Sequence, residues 1–240
     1  LAELSGYVPV GRLLDVGAGT GGLVSAALQL GWDAWGIQPQ SAAFQHMDPV
    51  LRQRIWKRYL DASFQPSESF DAVIIWNVIE HVRRPRYRLE QCVRVLRPGG
   101  VLLINTPTFD SIARRVAGPN WSLAFRVDHL SFWSVDLFRR HLQDFCLTVL
   151  AASSSGAPVG FSRYKPMVSA EGSNAEVLQP NPTCVTSRKR SHAGPWRYRF
   201  VLKKTVMQSP LLHRTLRGAV RILRAGDNVT VVARKWESSA

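Results

Sequence analysis

Apolar runs alternate with helix-like segments over the first 152 residues. The short apolar runs that predict strands cover residues 12–16, 33–37, 55–59, 70–76, 101–106 and 147–152. Between several of them, apolar residues recur every three to four positions, as in a helix packed on a core; these segments are 21–30, 88–96 and 134–143. Strands that are apolar at nearly every position are typical of a parallel sheet buried on both faces. The pattern therefore predicts an α/β, Rossmann-like, doubly wound fold.

The pattern breaks after residue 152 and returns near residue 209. Ser, Gly and Pro cluster over 153–208, which predicts a mobile insertion or lid. An N-cap serine followed by proline opens a predicted amphipathic helix over 209–225, and residues 228–234 predict a final strand that pairs with 147–152 at the sheet edge. We therefore predict a seven-stranded, mostly parallel sheet with an antiparallel last strand. The predicted organisation is a core over 1–152, an insertion over 153–208, and a basic helix with a final edge strand over 209–240.

Charge is concentrated in the C-terminal third of the chain. The net charge is +14, and residues 163–240 hold 15 Lys/Arg against 4 Asp/Glu. Such a basic appendage indicates an anionic partner, and the arginines of 209–225 suit an anionic membrane surface better than a nucleic acid. A helix packed on the domain with a solvated charged face explains them equally well.

Chain length and cysteine usage indicate a globular protein in a reducing compartment. At 240 residues the chain can bury one core, and no apolar run approaches the roughly 18 residues needed to cross a bilayer. The three cysteines are far apart, and no basic-then-apolar leader precedes the first strand. We therefore expect a cytoplasmic protein, with peripheral contact with an anionic membrane as an option that the basic segment leaves open. The chain does not begin with Met, so the question of an upstream segment stays open.

The most specific motif follows the first predicted strand, where Asp15 precedes glycines at alternate positions, Gly17, Gly19 and Gly21. This spacing indicates a tight turn from strand to helix, in which a ligand can lie against the backbone. A carboxylate at the strand end disfavours a pyrophosphate and suits a ligand that carries an ammonium and a sulfonium group.

Two further motifs accompany it, Phe70-Asp71-Ala72-Val73-Ile74-Ile75 and Arg94-Val95-Leu96-Arg97-Pro98-Gly99-Gly100. Together, residues 12–152 resemble the class I S-adenosylmethionine-dependent methyltransferases, and most closely the branch that contains the ubiquinone-pathway O-methyltransferases and their small-molecule relatives. The resemblance implies S-adenosyl-L-methionine as the cofactor. It also implies cofactor contacts from the glycine loop and the ends of strands two to four: Asp15, Gly17, Ala18, Gly19, Gly21, Gln38, Asp61 and Asn77.

One of these positions departs from the family pattern. The family places an acid at the end of strand two to bind the ribose hydroxyls, and this chain has Gln38 there. An amide can bind hydroxyls, but without a charge-assisted hydrogen bond. A degenerate methyltransferase fold that binds a ligand without turnover is therefore an alternative.

Two histidines follow predicted strands at the edge where open α/β sheets bind ligands. His81 comes after strand four and His129 after strand five, and either can serve as the general base that an oxygen nucleophile requires. Glu80, His81 and His129 also resemble the metal site of small-RNA 3′-end 2′-O-methyltransferases, with Asn77 in place of the first glutamate. We predict no metal, because a neutral amide weakens Mg²⁺ binding, and we keep these three residues as candidates.

The sequence thus predicts an S-adenosylmethionine-dependent O-methyltransferase that acts on a small or lipid-like molecule. The alternatives are the degenerate binding protein and an RNA ribose 2′-O-methyltransferase. The turn after strand four lacks the Asn/Asp-Pro-Pro-aromatic sequence typical of methylation at base amino groups, which favours an oxygen acceptor.

Overall fold

A seven-stranded sheet organises the chain. The computed structural model describes residues 1, 4–65, 67–121, 123, 126–155 and 226–237. The strands are β1 Arg12–Val16, β2 Asp33–Ile37, β3 Ile55–Trp56, β4 Phe70–Trp76, β5 Leu96–Pro107, β6 Leu147–Ser155 and β7 Asn228–Lys235. The helices are α1 Gly22–Gln29, α2 Ser41–Gln45, α3 Pro49–Arg52, α4 Pro85–Val95, α5 Ile112–Ala117 and α6 Val135–Gln143, with 3₁₀ turns at Leu4–Gly6, Ile79–His81 and Gly118–Asn120.

The strand order is β3-β2-β1-β4-β5-β7-β6. Strands β1 to β5 pair in parallel, and β7 pairs antiparallel with both β5 and β6. The predicted Rossmann-like, mostly parallel fold with an antiparallel last strand is confirmed. The final strand pairs with β6 as predicted, but it lies between β5 and β6, so the prediction of an edge position is wrong and β6 forms the edge.

Two apolar layers cover the faces of the sheet. One contains Phe70, Leu89 and Phe138, and the other contains Leu13, Val24 and Trp32, all of them buried. Residues of β4 contribute alternately to the two layers, because successive side chains of a strand point to opposite faces. Burial on both faces explains why the strand reads as a continuous apolar run.

Several element boundaries differ from the predicted ones. The third strand ends at Trp56 rather than residue 59, because Arg58 N bonds to Trp56 O and turns the chain. Helix α4 begins at Pro85, three residues before its first predicted position, since proline suits the first turn of a helix. The Arg97–Gly100 sequence ends α4 as expected, but it is part of β5, where the register with β4 shifts between Phe70 and Ala72.

The predicted insertion over 153–208 falls outside the described residues from position 156 onward, as does the predicted basic helix over 209–225. The predicted start of the insertion at residue 153 is wrong, because β6 continues to Ser155 and its last three residues pair with β7. The other boundaries of these two segments stay predictions. Within the described part of the chain, no helix is both long enough and apolar enough to span a membrane.

Candidate functional site

A cavity of about 590 Å³ lies at the carboxyl ends of β1, β2 and β4. It is lined by the glycine loop, the end of β2, the segment after β3, the turn after β4 and two residues near His129. The lining residues are Val16, Gly17, Gly19, Ile37, Gln38, Pro39, Gln40, Tyr59, Leu60, Asn77, Val78, His81, Val82, Arg88, Asp128 and Leu130. A cavity of this volume at this edge of an open α/β sheet is where such folds bind small ligands.

The glycine loop is tied to β2 by its own backbone. The N–H groups of Gly17 and Ala18 both donate to Ile37 O, at 2.8 and 3.0 Å. A Cβ at Gly19, which has φ +55°, would meet nothing within 4 Å. The N–H groups of residues 17 and 18 are therefore not free to bind a ligand, and the loop offers open space beside Gly19 instead. The sequence could not show which of these two features would form.

The other residues predicted around the loop occupy different places. Ala18 is buried, and a Cβ at Gly21 would lie 3.0 Å from Ile55 Cδ1, so Gly21 allows close packing with β3. Asp15 is 3% exposed on β1, and burial raises the pKa of its carboxyl to about 7. None of these three residues lines the cavity directly.

Gln38, the residue expected in place of an acid at the end of β2, lines the cavity. The residue is 6% exposed, and its Oε1 accepts a hydrogen bond from Gly19 N at 3.2 Å. Its amide nitrogen has no hydrogen-bond partner among the described residues. Gln38 therefore connects the glycine loop to β2 and retains two donor hydrogens for a ligand.

Asp61 does not line the cavity. Its carboxylate accepts from Ser63 Oγ at 2.7 Å, Ser63 N at 3.0 Å and Arg58 Nη2 at 3.1 Å, and these hydrogen bonds, that from the Ser63 hydroxyl first, lower the pKa of Asp61. Tyr59 and Leu60 line the cavity instead. Asp61 as a cofactor contact therefore stays a prediction.

Helix α4 holds this segment in place. Arg94 Nη2 donates to the carbonyl oxygens of Asp61 and Phe64, both at 2.9 Å, and Arg88 donates to Leu60 O. Tyr87 Oη accepts from Ala62 N at 3.2 Å. These side chains fix the backbone of the cavity wall.

Asn77 forms the turn after β4. It adopts a left-handed φ of +52°, donates its N–H to Asn105 O at 2.8 Å, and lines the cavity as predicted. Asparagine tolerates this backbone region better than most residues. Trp76, immediately before it, is 48% exposed, so this indole is not a core residue.

Glu80, His81 and His129 meet beside the cavity. One ligand atom of each residue lies within 4.8 Å of those of the other two, although His129 is 48 residues from His81 in the chain. Glu80 is 1% exposed and accepts from Thr106 Oγ1 at 2.8 Å, and burial raises its pKa. His81 lines the cavity; His129 does not.

The two histidines differ in environment. His81 Nδ1 is 2.7 Å from Asp128 O, and its Nε2 is 3.8 Å from Glu80 Oε1. The His129 ring packs edge-on against that of His81, at 5.0 Å between centroids. Its Nδ1 is buried and has no hydrogen-bond partner in the part of the chain that the structure describes. Burial lowers the pKa of His129 and so favours the neutral form of this imidazole. The cluster can accept a proton or coordinate a cation.

The sequence reasoning missed several residues of this region. Asp128 and Leu130 flank a predicted histidine, so proximity in the chain was a usable signal for them. No signal marked Arg88, whose contact with Leu60 depends on the packing of α4, or Thr106, which lies within an apolar strand.

Comparison with known proteins places this chain in a family. A family model described as "Methyltransferase domain" matches residues 2–152. The mitochondrial ubiquinone biosynthesis O-methyltransferase of Mus musculus is 38% identical over 104 residues, which are 40% of this chain and 28% of that protein. The ubiquinone biosynthesis O-methyltransferase of Rhodopseudomonas palustris strain BisB5 is 30% identical over 152 residues, 59% of this chain and 60% of that protein.

The fold is also that of solved methyltransferases. The crystal structure of a SAM-dependent methyltransferase from Archaeoglobus fulgidus aligns over 95% of this chain and 88% of that one, with a TM-score of 0.57 and 14% identity. At that identity the likeness concerns the fold alone. The matched segments span between 28% and 60% of the length of these two curated relatives. The family model covers more than half of the chain, and the chain therefore belongs to the methyltransferase domain family, near its ubiquinone biosynthesis O-methyltransferases.

Proposed function

We propose that this chain binds S-adenosyl-L-methionine and transfers its methyl group to an oxygen atom of a small or lipid-like acceptor. The observation that carries the proposal is the cavity itself, which the glycine loop and Gln38 enclose on one side and His81 borders on the other. A methyl-donor site and a proton acceptor thus adjoin one space. Membership in the methyltransferase family supports the same reaction class.

The residues present fit this cofactor. The free space beside Gly19 is a cradle that any Cβ would begin to fill, and Gln38 offers amide donors to hydroxyl groups. The buried Asp15 carboxyl, with its raised pKa, gains most from a cationic ligand nearby, because a positive charge offsets the cost of burying its own negative charge. Gly19, Gln38 and Asn77 would hold the cofactor, which supplies an activated methyl group when bound.

The protein's contribution to the reaction is alignment and removal of a proton. Alignment in an enclosed cavity supplies much of the rate gain of a displacement reaction. An oxygen nucleophile must also lose its proton, and His81 lines the cavity with its Nε2 unoccupied by any donor among the described residues. His129 packs edge-on against it, and burial lowers the pKa of the His129 imidazole, so the neutral form of this neighbour is favoured and does not oppose a positive charge on His81.

A second candidate is cation-assisted O-methylation. It is favoured by the convergence of Glu80, His81 and His129, whose ligand atoms lie within 4.8 Å of one another. A divalent cation there would lower the pKa of a bound hydroxyl and reduce the need for a base. Asn77, which replaces the first glutamate of the resembled motif, lines the cavity.

Calorimetry with S-adenosylhomocysteine, with and without Mg²⁺, tests the binding step. We expect micromolar binding to the full chain and none to Gly19→Val, with both proteins folded by circular dichroism. Tighter binding with Mg²⁺ would support the cation-assisted route. Absence of heat and of any thermal shift in the folded protein would contradict the proposal and support the degenerate binding protein.

Turnover is tested with methyl-labelled S-adenosylmethionine and 3,4-dihydroxybenzoic acid, a small catechol whose hydroxyls match a histidine base. Label in the extracted product is the expected result, and its loss in His81→Gln should exceed any loss of cofactor affinity. A short RNA with a free 3′ end serves as the competing acceptor. Label on the RNA alone would support the ribose methyltransferase instead.

Cytoplasmic localisation and membrane contact remain proposals. The basic helix over 209–225 lies outside the described residues, and its charge alone supports contact with anionic lipid. Deleting residues 209–225 should reduce binding to vesicles that contain phosphatidylserine and flatten its salt dependence. An unchanged binding curve would favour a helix that simply packs on the domain.

A further inference from the structure

The segment 126–131 is attached to the 3₁₀ turn that carries His81. Leu130 N and Ser131 N both donate to Glu80 O, at 2.7 and 3.3 Å, and Ser131 Oγ lies 3.5 Å from Ile79 O. These contacts join two parts of the chain about 50 residues apart. They bring Asp128 against the imidazole of His81.

The contact with Asp128 determines which nitrogen of His81 carries the proton. His81 Nδ1 is 2.7 Å from the backbone carbonyl oxygen of Asp128, and a carbonyl oxygen only accepts hydrogen bonds. Nδ1 must therefore be protonated, and in the neutral imidazole Nε2 holds the lone pair. This is the tautomer that free histidine populates less, so the surrounding structure has to impose it.

An ion pair holds the carbonyl in position. Arg126 donates to both carboxylate oxygens of Asp128, at 3.1 and 2.8 Å, and the Asp128 carboxylate also lies 3.6 Å from His81 Nδ1. Both side chains are about half exposed. A pair this exposed contributes little to global stability. Its effect is instead local, because a bidentate contact across two residues restricts the backbone between them.

We propose that Arg126 and Asp128 are positioning residues that hold His81 in the Nδ1–H tautomer, so that Nε2 receives the proton of the acceptor. The proposal rests on the proposed function for its consequence in catalysis. The proton moves from the acceptor oxygen to His81 Nε2, and the new imidazolium keeps its Nδ1–H bond to the Asp128 carbonyl. The adjacent Asp128 carboxylate stabilises the positive charge.

The tautomer can be read directly, without turnover. Nitrogen-15 spectra of the histidine-labelled full chain, recorded about two pH units above the ordinary histidine pKa of about 6.5, distinguish Nδ1–H from Nε2–H. The His81 signals are those lost in His81→Gln. We expect wild-type His81 as Nδ1–H, and Arg126→Gln or Asp128→Asn to shift the signals toward a mixture of tautomers.

A matched control is available in α6, where Arg139 and Asp136 form an exposed ion pair at 3.1 Å. Arg139→Gln should leave the His81 spectrum unchanged. The double variant Arg126→Gln/Asp128→Asn should resemble each single variant, because both substitutions remove the same contact. Equal shifts in the Arg139 control would mean that any loss of charge has this effect, and the inference would be wrong.

Kinetics with the catechol probe adds a second readout. We expect kcat to fall about 10-fold in Arg126→Gln and Asp128→Asn, with the KM for S-adenosylmethionine unchanged. The loss is smaller than the full contribution of a general base, because His81 is still present and only its tautomer is less well fixed. A wild-type His81 protonated on Nε2 would overturn the inference. So would variants that retain both the Nδ1–H tautomer and the wild-type kcat. If the wild type transfers no methyl group to any probe, the proposed function fails while the spectra still decide the tautomer.

Discussion

Replacing Gln38 with glutamate should tighten cofactor binding and lower the folding stability of the unliganded protein. Gln38 is 6% exposed, accepts from Gly19 N at 3.2 Å and keeps its amide nitrogen free of partners among the described residues. Glutamate preserves an acceptor for Gly19 N and exchanges the free donor for a charged acceptor. That acceptor suits the hydroxyl hydrogens of a ribose, which the amide nitrogen cannot bind.

The magnitude follows from the hydrogen bonds involved. A bond to a charged group contributes about 1.5–3 kcal/mol, against about 0.5–1.5 kcal/mol for a neutral one. The difference of about 1.4 kcal/mol corresponds to a roughly 10-fold lower Kd for S-adenosylhomocysteine. Without ligand the buried carboxylate lacks a hydroxyl partner, which should cost about 1–3 kcal/mol of folding stability.

Calorimetry and urea unfolding measure both effects on the same samples. Gln40→Glu is the matched control, because Gln40 lines the same cavity but is exposed, so that variant adds the charge without the buried contact. Equal changes in Kd for the two variants would indicate a general charge effect. Weaker binding by Gln38→Glu would refute the reasoning, since Gln38 would then not face the ribose.

Three further predictions concern the cradle and the buried carboxyls. Gly19→Val should abolish binding of S-adenosylhomocysteine in calorimetry, because its side chain enters the cavity; retained affinity would remove the glycine loop from the site. Burial raises the pKa of Asp15 from 3.8 to about 7, so the folded, unliganded state binds the proton more tightly than the unfolded state. Wild type should therefore lose stability relative to Asp15→Asn as pH rises from about 4 to about 7, by at most about 1.4 kcal/mol per pH unit, and parallel Tm profiles would contradict this. Thr106→Val removes the hydroxyl that donates to Glu80 and should cost about 1–3 kcal/mol in urea unfolding; no change would mean that Glu80 is satisfied otherwise.

The predicted sheet and the observed one agree where the signal is local. Strand β4 is apolar at nearly every position because it is buried on both faces. This property can be recognised from the seven residues of the strand alone. The turn at Gly17 to Gly21 is equally local, because its three glycines adopt the positive φ angles that other residues avoid. Together with the alternation of strands and helices along the core, these local features predicted the parallel fold and the glycine loop that borders the cavity.

The contacts that individual side chains make could not be predicted from the sequence and became clear only from the tertiary structure. Asp61 follows β3 as predicted, but its carboxylate turns to Arg58 and Ser63, which are neighbours that compete for it once the segment is folded. Glu80 and Thr106 are 26 positions apart, and only the pairing of β4 with β5 places them in contact. No spacing rule encodes such pairs, since they depend on the register of two strands.

The sequence by itself determined three features. They are the strand–turn–helix unit at the start of the core, the alternation of strands and helices that is typical of a parallel sheet, and the presence of His81 and His129 after strand ends. Tertiary structure decided that β7 enters the sheet between β5 and β6, that Gln38 bonds to the glycine loop, and that Asp128 faces His81. The physical reason is range. Backbone conformation and burial follow from neighbouring residues, whereas the hydrogen bond between His81 and Asp128, which are 47 positions apart, forms only after the chain between them has folded.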